Sequence, residues 1–162
     1  MRSGLMLVGL VAAFMGAVGS AAAEPPRRKG PDASPISTSV SVPADSRLVY
    51  ISGTVPDAID PNAAEGSVAR FGDTEAQTRS VLRKVEASLK EQGLGLGDVV
   101  MMRVFLVAPP GQQQMDFAGM MRGYRAYFGI PSQPNKPARS TMQVAGLVDA
   151  GWLVELEVTA AK

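Results

Sequence analysis

The run Val99–Val107, V-V-M-M-R-V-F-L-V, is interrupted only by Arg103 and most constrains what this chain can fold into. Nine residues are too few to cross a bilayer as a helix and are the length of a strand. Gly97-Asp98 precede the run and Pro109-Pro110-Gly111 follow it, so both ends are punctuated. A strand with one wet face alternates polar and apolar residues. This one is apolar in both phases, so both of its faces must be covered.

Two helices are available to cover it. Gly72-Asp73-Thr74 opens the first, and Thr74 with Gln77 three residues on predicts a capping box. Glu75 lies near the positive end of the helix dipole. Val81, Leu82, Val85 and Leu89 share one face, Lys84, Glu86, Lys90 and Glu91 are expected in water, and Gly93 is the stop signal. The second helix is predicted over Met115–Phe128, where Phe117, Met121, Tyr124 and Phe128 recur at helical spacing.

Strands are predicted at Ser37–Val42, Arg47–Ser52, Arg139–Val144 and Trp152–Thr159, with a further short one at Ser67–Phe71. Asp57–Gly66 and Ile130–Pro137 read as loops, and Asp149-Ala150-Gly151 as a turn. The order β-β-(β)-α-β-α-β-β describes an α+β domain with a mixed sheet of five or six strands. Two helices cover one face of such a sheet, and the other face is expected to be buried against copies of the same chain.

The 162 residues hold one domain. They contain no cysteine and no histidine. Thiol nucleophiles, disulfides, Cys-based zinc sites, Ser-His-Asp triads and histidine bases are therefore excluded. Acid–base work falls to carboxylates, Lys, Tyr, backbone groups or water.

At the N-terminus, Arg2, the apolar run Leu5–Val18 and Ala21-Ala22-Ala23 follow the order of a secretory signal cleaved after Ala23. Residues 24–35, with four prolines and three basic residues, read as a flexible tether to a domain spanning 36–162. The expected destination is periplasmic or secreted, with no membrane attachment after cleavage. The competing reading is a retained anchor over Gly4–Ala23, which its many Gly and Ala residues make only weakly hydrophobic. Residues 1–23 carry one base, Arg2, and no acid, so the remainder has 15 bases and 15 acids. Neutrality without a basic block argues against nucleic acid as a partner. Asp57 and Asp60 lack the closely spaced oxygen ligands of a calcium loop.

Six segments in order carry a family resemblance: Ser52-Gly53-Thr54-Val55-Pro56, Gly72–Thr78, Asp98-Val99-Val100, Tyr124–Phe128, Pro137-Ala138-Arg139-Ser140-Thr141, and Val154–Val158. Together they resemble the Rid (reactive intermediate/imine deaminase, YjgF) family over about residues 36–160. The resemblance implies a chorismate-mutase-like fold, assembled as a homotrimer whose sheets form a central barrel with helices outside. It implies hydrolysis of 2-imino acids to 2-oxo acids and ammonia, without cofactor or metal, in clefts between subunits.

Carried over residue by residue, Arg139 matches the arginine that holds the substrate carboxylate. A planar guanidinium suits that task because it can donate two parallel bonds. Glu155 matches the cleft glutamate that holds the attacking water, although the longer turn before Trp152 leaves the choice between Glu155 and Glu157 open. Gly53 and Thr141 match positions whose backbone approaches the substrate. Thr141 stands where many members have cysteine, and no pocket tyrosine occurs near Ser39. Met121 replaces a common asparagine, and its place on the apolar stripe makes core packing its expected role. Two functions are carried forward: deamination of a small carboxylate-bearing imine, and a non-catalytic exported trimer that binds a carboxylate metabolite or a protein partner.

Overall fold

The computed structural model describes residues 24–162. The expected secretory signal, residues 1–23, lies outside the described residues. The chain forms β1 (Arg27–Lys29), β2 (Ser39–Ser41), β3 (Leu48–Thr54), α1 (Val68–Phe71), α2 (Thr74–Glu91), a 3-10 turn (Leu96–Asp98), β4 (Val99–Leu106), α3 (Phe117–Tyr124), β5 (Ala138–Gln143) and β6 (Val154–Ala161). The main sheet has the order β3-β6-β4-β5. Its pairings are antiparallel except for β4 with β5, so the sheet is mixed.

The core lies between this sheet and α2 and α3. Met102, Val104 and Leu106 of β4 and Val154, Leu156, Val158 and Ala160 of β6 pack against Val81, Leu82, Val85, Leu89, Met120 and Tyr124, all buried. Gly123 lets α3 approach α2 closely, since a Cβ there would sit 2.7 Å from the Thr78 Cβ. The other phase of β4 behaves differently. Met101 and Phe105 are half-buried and Arg103 is exposed, paired with Glu157 at 3.2 Å. Tyr50 (73% exposed) and Met142 (37% exposed) share that open face.

Several expectations are corrected. Ser67–Phe71 is not a strand; Val68 and Phe71 fall at helical spacing, and Gly72 (φ +85°) closes a single turn by bonding back to the Val68 carbonyl. Phe71 then meets the Trp152 ring edge-on at 6.1 Å. The capping box is replaced by Asp73, whose side chain accepts from the Ala76 N–H. Gln77 instead turns inward, donating to the Gly72 and Gly151 carbonyls and accepting from Leu153 N. At the far end of α2, Leu94 N bonds Leu89 O and Gly93 N bonds Lys90 O, with Gly93 at φ +69°. These two hydrogen bonds are the pattern of a glycine-terminated helix. The second helix is shorter than predicted, because Asp116 caps it and regular α-helix gives way to turns after Tyr124.

The main sheet has four strands rather than five or six. β2 does not join it but pairs with β1, which lies inside the segment read as a tether. Arg28 explains why that proline-rich stretch folds. Its guanidinium donates to Gly97 O at 2.9 Å and Val99 O at 3.2 Å, fastening β1 beside the start of β4. Asp57 pairs with Lys84 at 2.8 Å, so Lys84 serves the loop after β3 rather than only facing water. Asp60 accepts from Asn62 N. Among the described residues no helix is long and apolar enough to cross a membrane.

Candidate functional site

The four candidate residues fall into two pairs. Arg139 and Thr141 lie on β5 in register with Met102 and Val104 of β4, and so project on the helix-covered face. Glu155 lies on β6 in register with Phe105 and projects on the open face. Its carboxylate reaches across to β3, where a Cβ built on Gly53 would overlap Oε1 and come within 2.9 Å of Cδ. Gly53 sits at the irregularity in β3–β6 pairing between Ile51 and Thr54. The loop that follows is fixed to α2: Lys84 Nζ donates to Val55 O, and the Ser80 hydroxyl accepts from Asp57 N. Glu157, two residues on, is engaged by Arg103, whereas no ion pair occupies Glu155 among the described residues.

Arg139 is half-buried against α3. Nη2 donates to the Met121 sulfur at 3.1 Å, Nη1 lies 4.0 Å from the Met120 sulfur, and the guanidinium carbon is 4.4 Å from the centre of the Tyr124 ring. The Phe117 ring is 6.0 Å away. Nε is buried without a hydrogen-bond partner among the described residues, as is the Thr141 hydroxyl. Burial lowers the Arg139 pKa, and the neighbouring Tyr124 opposes that shift. Burial also pushes the Tyr124 phenol up to about 12, with the Arg139 charge acting in the other direction. An arginine in such surroundings stays protonated. Its charge is weakly compensated by thioethers and a ring face, which suits it to receive an anion.

Within one protomer the two pairs do not meet. β4 lies between β5 and β6, which sets the strands about 10 Å apart, and for Arg139 and Glu155 a three-residue offset in register adds about as much along them. Their side chains also leave opposite faces of the sheet.

The surroundings of Arg139 escaped the sequence reading. Phe117, Met121 and Tyr124 carry the periodic signal of a core-facing stripe. Nothing in that period tells which part of the stripe meets the edge strand β5 rather than the centre of the sheet.

The family model described as endoribonuclease L-PSP matches residues 32–162. A RutC family protein of Pyrococcus abyssi is 35% identical over 115 residues, 71% of this chain and 79% of the relative. A 2-iminobutanoate/2-iminopropanoate deaminase of Salmonella typhimurium is 36% identical over 100 residues, 62% of this chain and 69% of the relative. The crystal structure of the YjgF gene product of E. coli superposes with a TM-score of 0.54 at 29% identity, covering 71% of this chain and 80% of that one. The mixed sheet with helices on one face is thus the fold of this group, and the chain belongs to the Rid (YjgF/RutC) family.

Proposed function

We propose that the protein hydrolyses small 2-imino acids, giving 2-oxo acids and ammonia, in clefts where Arg139 of one protomer faces Glu155 and Gly53 of a neighbour in a homotrimer. The observation that carries this reading is the half-buried Arg139 guanidinium, which has no carboxylate partner among the described residues. The opposite-face placement of Glu155 supports the second protomer, since one chain alone cannot direct both groups at one small molecule. The half-exposed open face, with Tyr50 and Met142, supports burial between copies.

In this scheme Arg139 binds the substrate carboxylate, with the Thr141 hydroxyl or N–H beside it. Glu155 accepts a proton from water as the water oxygen adds to the imine carbon. Glu155 passes that proton to the nitrogen, giving the aminoalcohol, and then carries the hydroxyl proton to the same nitrogen as the C–N bond breaks, so that ammonia departs and the carbonyl forms. Glu155 then returns to its starting state. Imines already react with water, so orientation and a well-placed carboxylate suffice, and no step calls for a cofactor or metal. Residues 24–162 have equal numbers of acids and bases, which favours this chemistry over ribonucleic acid cleavage.

The test generates 2-imino acids in place with an amino-acid oxidase and follows ammonia release. Wild type should exceed the protein-free control, and Arg139→Ala should lose on the order of a hundredfold in kcat/KM. Rates equal to the control in both would leave the non-catalytic carboxylate-binding alternative. Light scattering should return three times the protomer mass; a monomer at assay concentration would sink the shared-cleft scheme.

A further inference from the structure

The Arg139 site combines one fixed charge with an apolar wall. Met120 and Tyr124 are 1% exposed and Met121 is 9% exposed, but Phe117, on the same stripe, is 45% exposed beside the guanidinium. The nearby polar side chains are already engaged. Gln143 accepts from Met115 N and donates to Gln113 O, and Asp116 accepts from Gly119 N. The Tyr124 hydroxyl donates to Pro35 O, and Arg122 is held by Glu75. The Thr141 hydroxyl is the free one on this face of β5, and it adjoins the carboxylate anchor.

We infer that this site selects 2-oxo and 2-imino acids bearing an apolar side chain of leucine or phenylalanine size, held against Met121 and Phe117, over alanine-sized or hydroxylated ones. The inference rests on reading Arg139 as the carboxylate anchor. With the carboxylate on Arg139, the substituent next to it meets a thioether and an exposed ring. An apolar group there removes the exposed Phe117 ring from water and packs on the already buried thioether. A hydroxyl on that substituent would lose its hydration against Met121 and Phe117, since the unpartnered Thr141 hydroxyl and Arg139 Nε lie on the carboxylate side of the site. A methyl group would leave the Phe117 ring wet. Differences of this kind amount to about tenfold or more in affinity.

Calorimetric titration with stable 2-oxo acids tests this directly. Wild type should bind 4-methyl-2-oxopentanoate and phenylpyruvate about tenfold or more tighter than pyruvate and hydroxypyruvate. Met121→Asn and Phe117→Ser should each bring that ratio to within about threefold, whereas Met121→Leu, which keeps an apolar wall, should preserve it. Thermal melts check that each variant is folded. Equal wild-type affinities overturn the inference, as does a preference that survives both polar variants or a failure to bind any of the four acids. Turnover separates the two claims. Equal kcat/KM on all imines retains deamination and removes selectivity, whereas selective binding without ammonia release does the reverse.

Discussion

The Glu155 carboxylate occupies the space in which any side chain at Gly53 would begin. The two residues come from different strands, and their contact depends on a bulged register between β3 and β6. Gly53→Ala should therefore displace the carboxylate rather than merely fill a gap. The expected outcome is a kcat lower by about tenfold or more with a stability loss below about 1 kcal/mol, because the clash falls on the movable end of a half-exposed side chain. Glu155→Ala vacates the site, so the double variant should be more stable than Gly53→Ala alone. Additive losses in denaturant unfolding would mean the two side chains do not compete.

Tyr124 links three parts of the molecule. Its ring lies under Arg139, it stacks on Phe128 with ring centres 4.8 Å apart, and its hydroxyl holds Pro35. Tyr124→Leu removes the ring face and should raise KM about five- to tenfold, with a smaller effect on kcat. Tyr124→Phe keeps the ring and should leave KM close to wild type while costing about 1 kcal/mol of stability.

The same phenol makes a pH prediction. Its folded pKa is raised to about 12, above the ordinary value of 10.0. The native state then holds the proton where the unfolded state has released it. This contribution is complete below pH about 10 and is lost as pH rises towards 12, by about 2–3 kcal/mol in all. Tyr124→Phe should flatten that part of the alkaline unfolding curve. An unchanged slope would place the alkaline sensitivity elsewhere.

Periodicity located the long helix, the central strand and the last two strands, because each buries one regular stripe. It failed where a residue's partner is remote in sequence. Val68 and Phe71 satisfy a helical turn as readily as a short strand, and the buried contact of Phe71 with Trp152 is invisible locally. The prolines of Glu24–Pro35 suggest a tether, yet Arg28 finds carbonyls about seventy residues away. For the site, motif position singled out Arg139, Glu155, Gly53 and Thr141. Their division between two sheet faces required strand order, since β5 joins the sheet in parallel beyond β4.

Gln77 shows how such a remote partner carries stability. It is fully buried and joins the start of α2 to the turn before β6 through three hydrogen bonds. Gln77→Leu is apolar and somewhat larger, and it leaves two carbonyls and one N–H without partners. Thermal or urea unfolding should register a loss of about 2–4 kcal/mol, larger than that of an exposed substitution such as Arg83→Ala. A loss under 1 kcal/mol would show that water replaces the amide.

Arg28 provides the last test, because its role is mechanical rather than chemical. The β1–β2 ladder is three residues long, too short to persist alone, so the guanidinium bonds to Gly97 and Val99 should be what keeps it closed. Arg28→Ala should speed tryptic cleavage at Arg27 and Lys29 and abolish hydrogen-exchange protection at Thr38 N, which bonds Lys29 O at 2.7 Å. Global stability should fall by about 1–2 kcal/mol, less than for Gln77→Leu, because the core stays intact. Arg28→Lys keeps the charge but loses the planar fork, so its protection should lie between the two. Full protection in Arg28→Ala would assign the closure instead to Lys136, which donates to the Asp32 and Ser34 carbonyls.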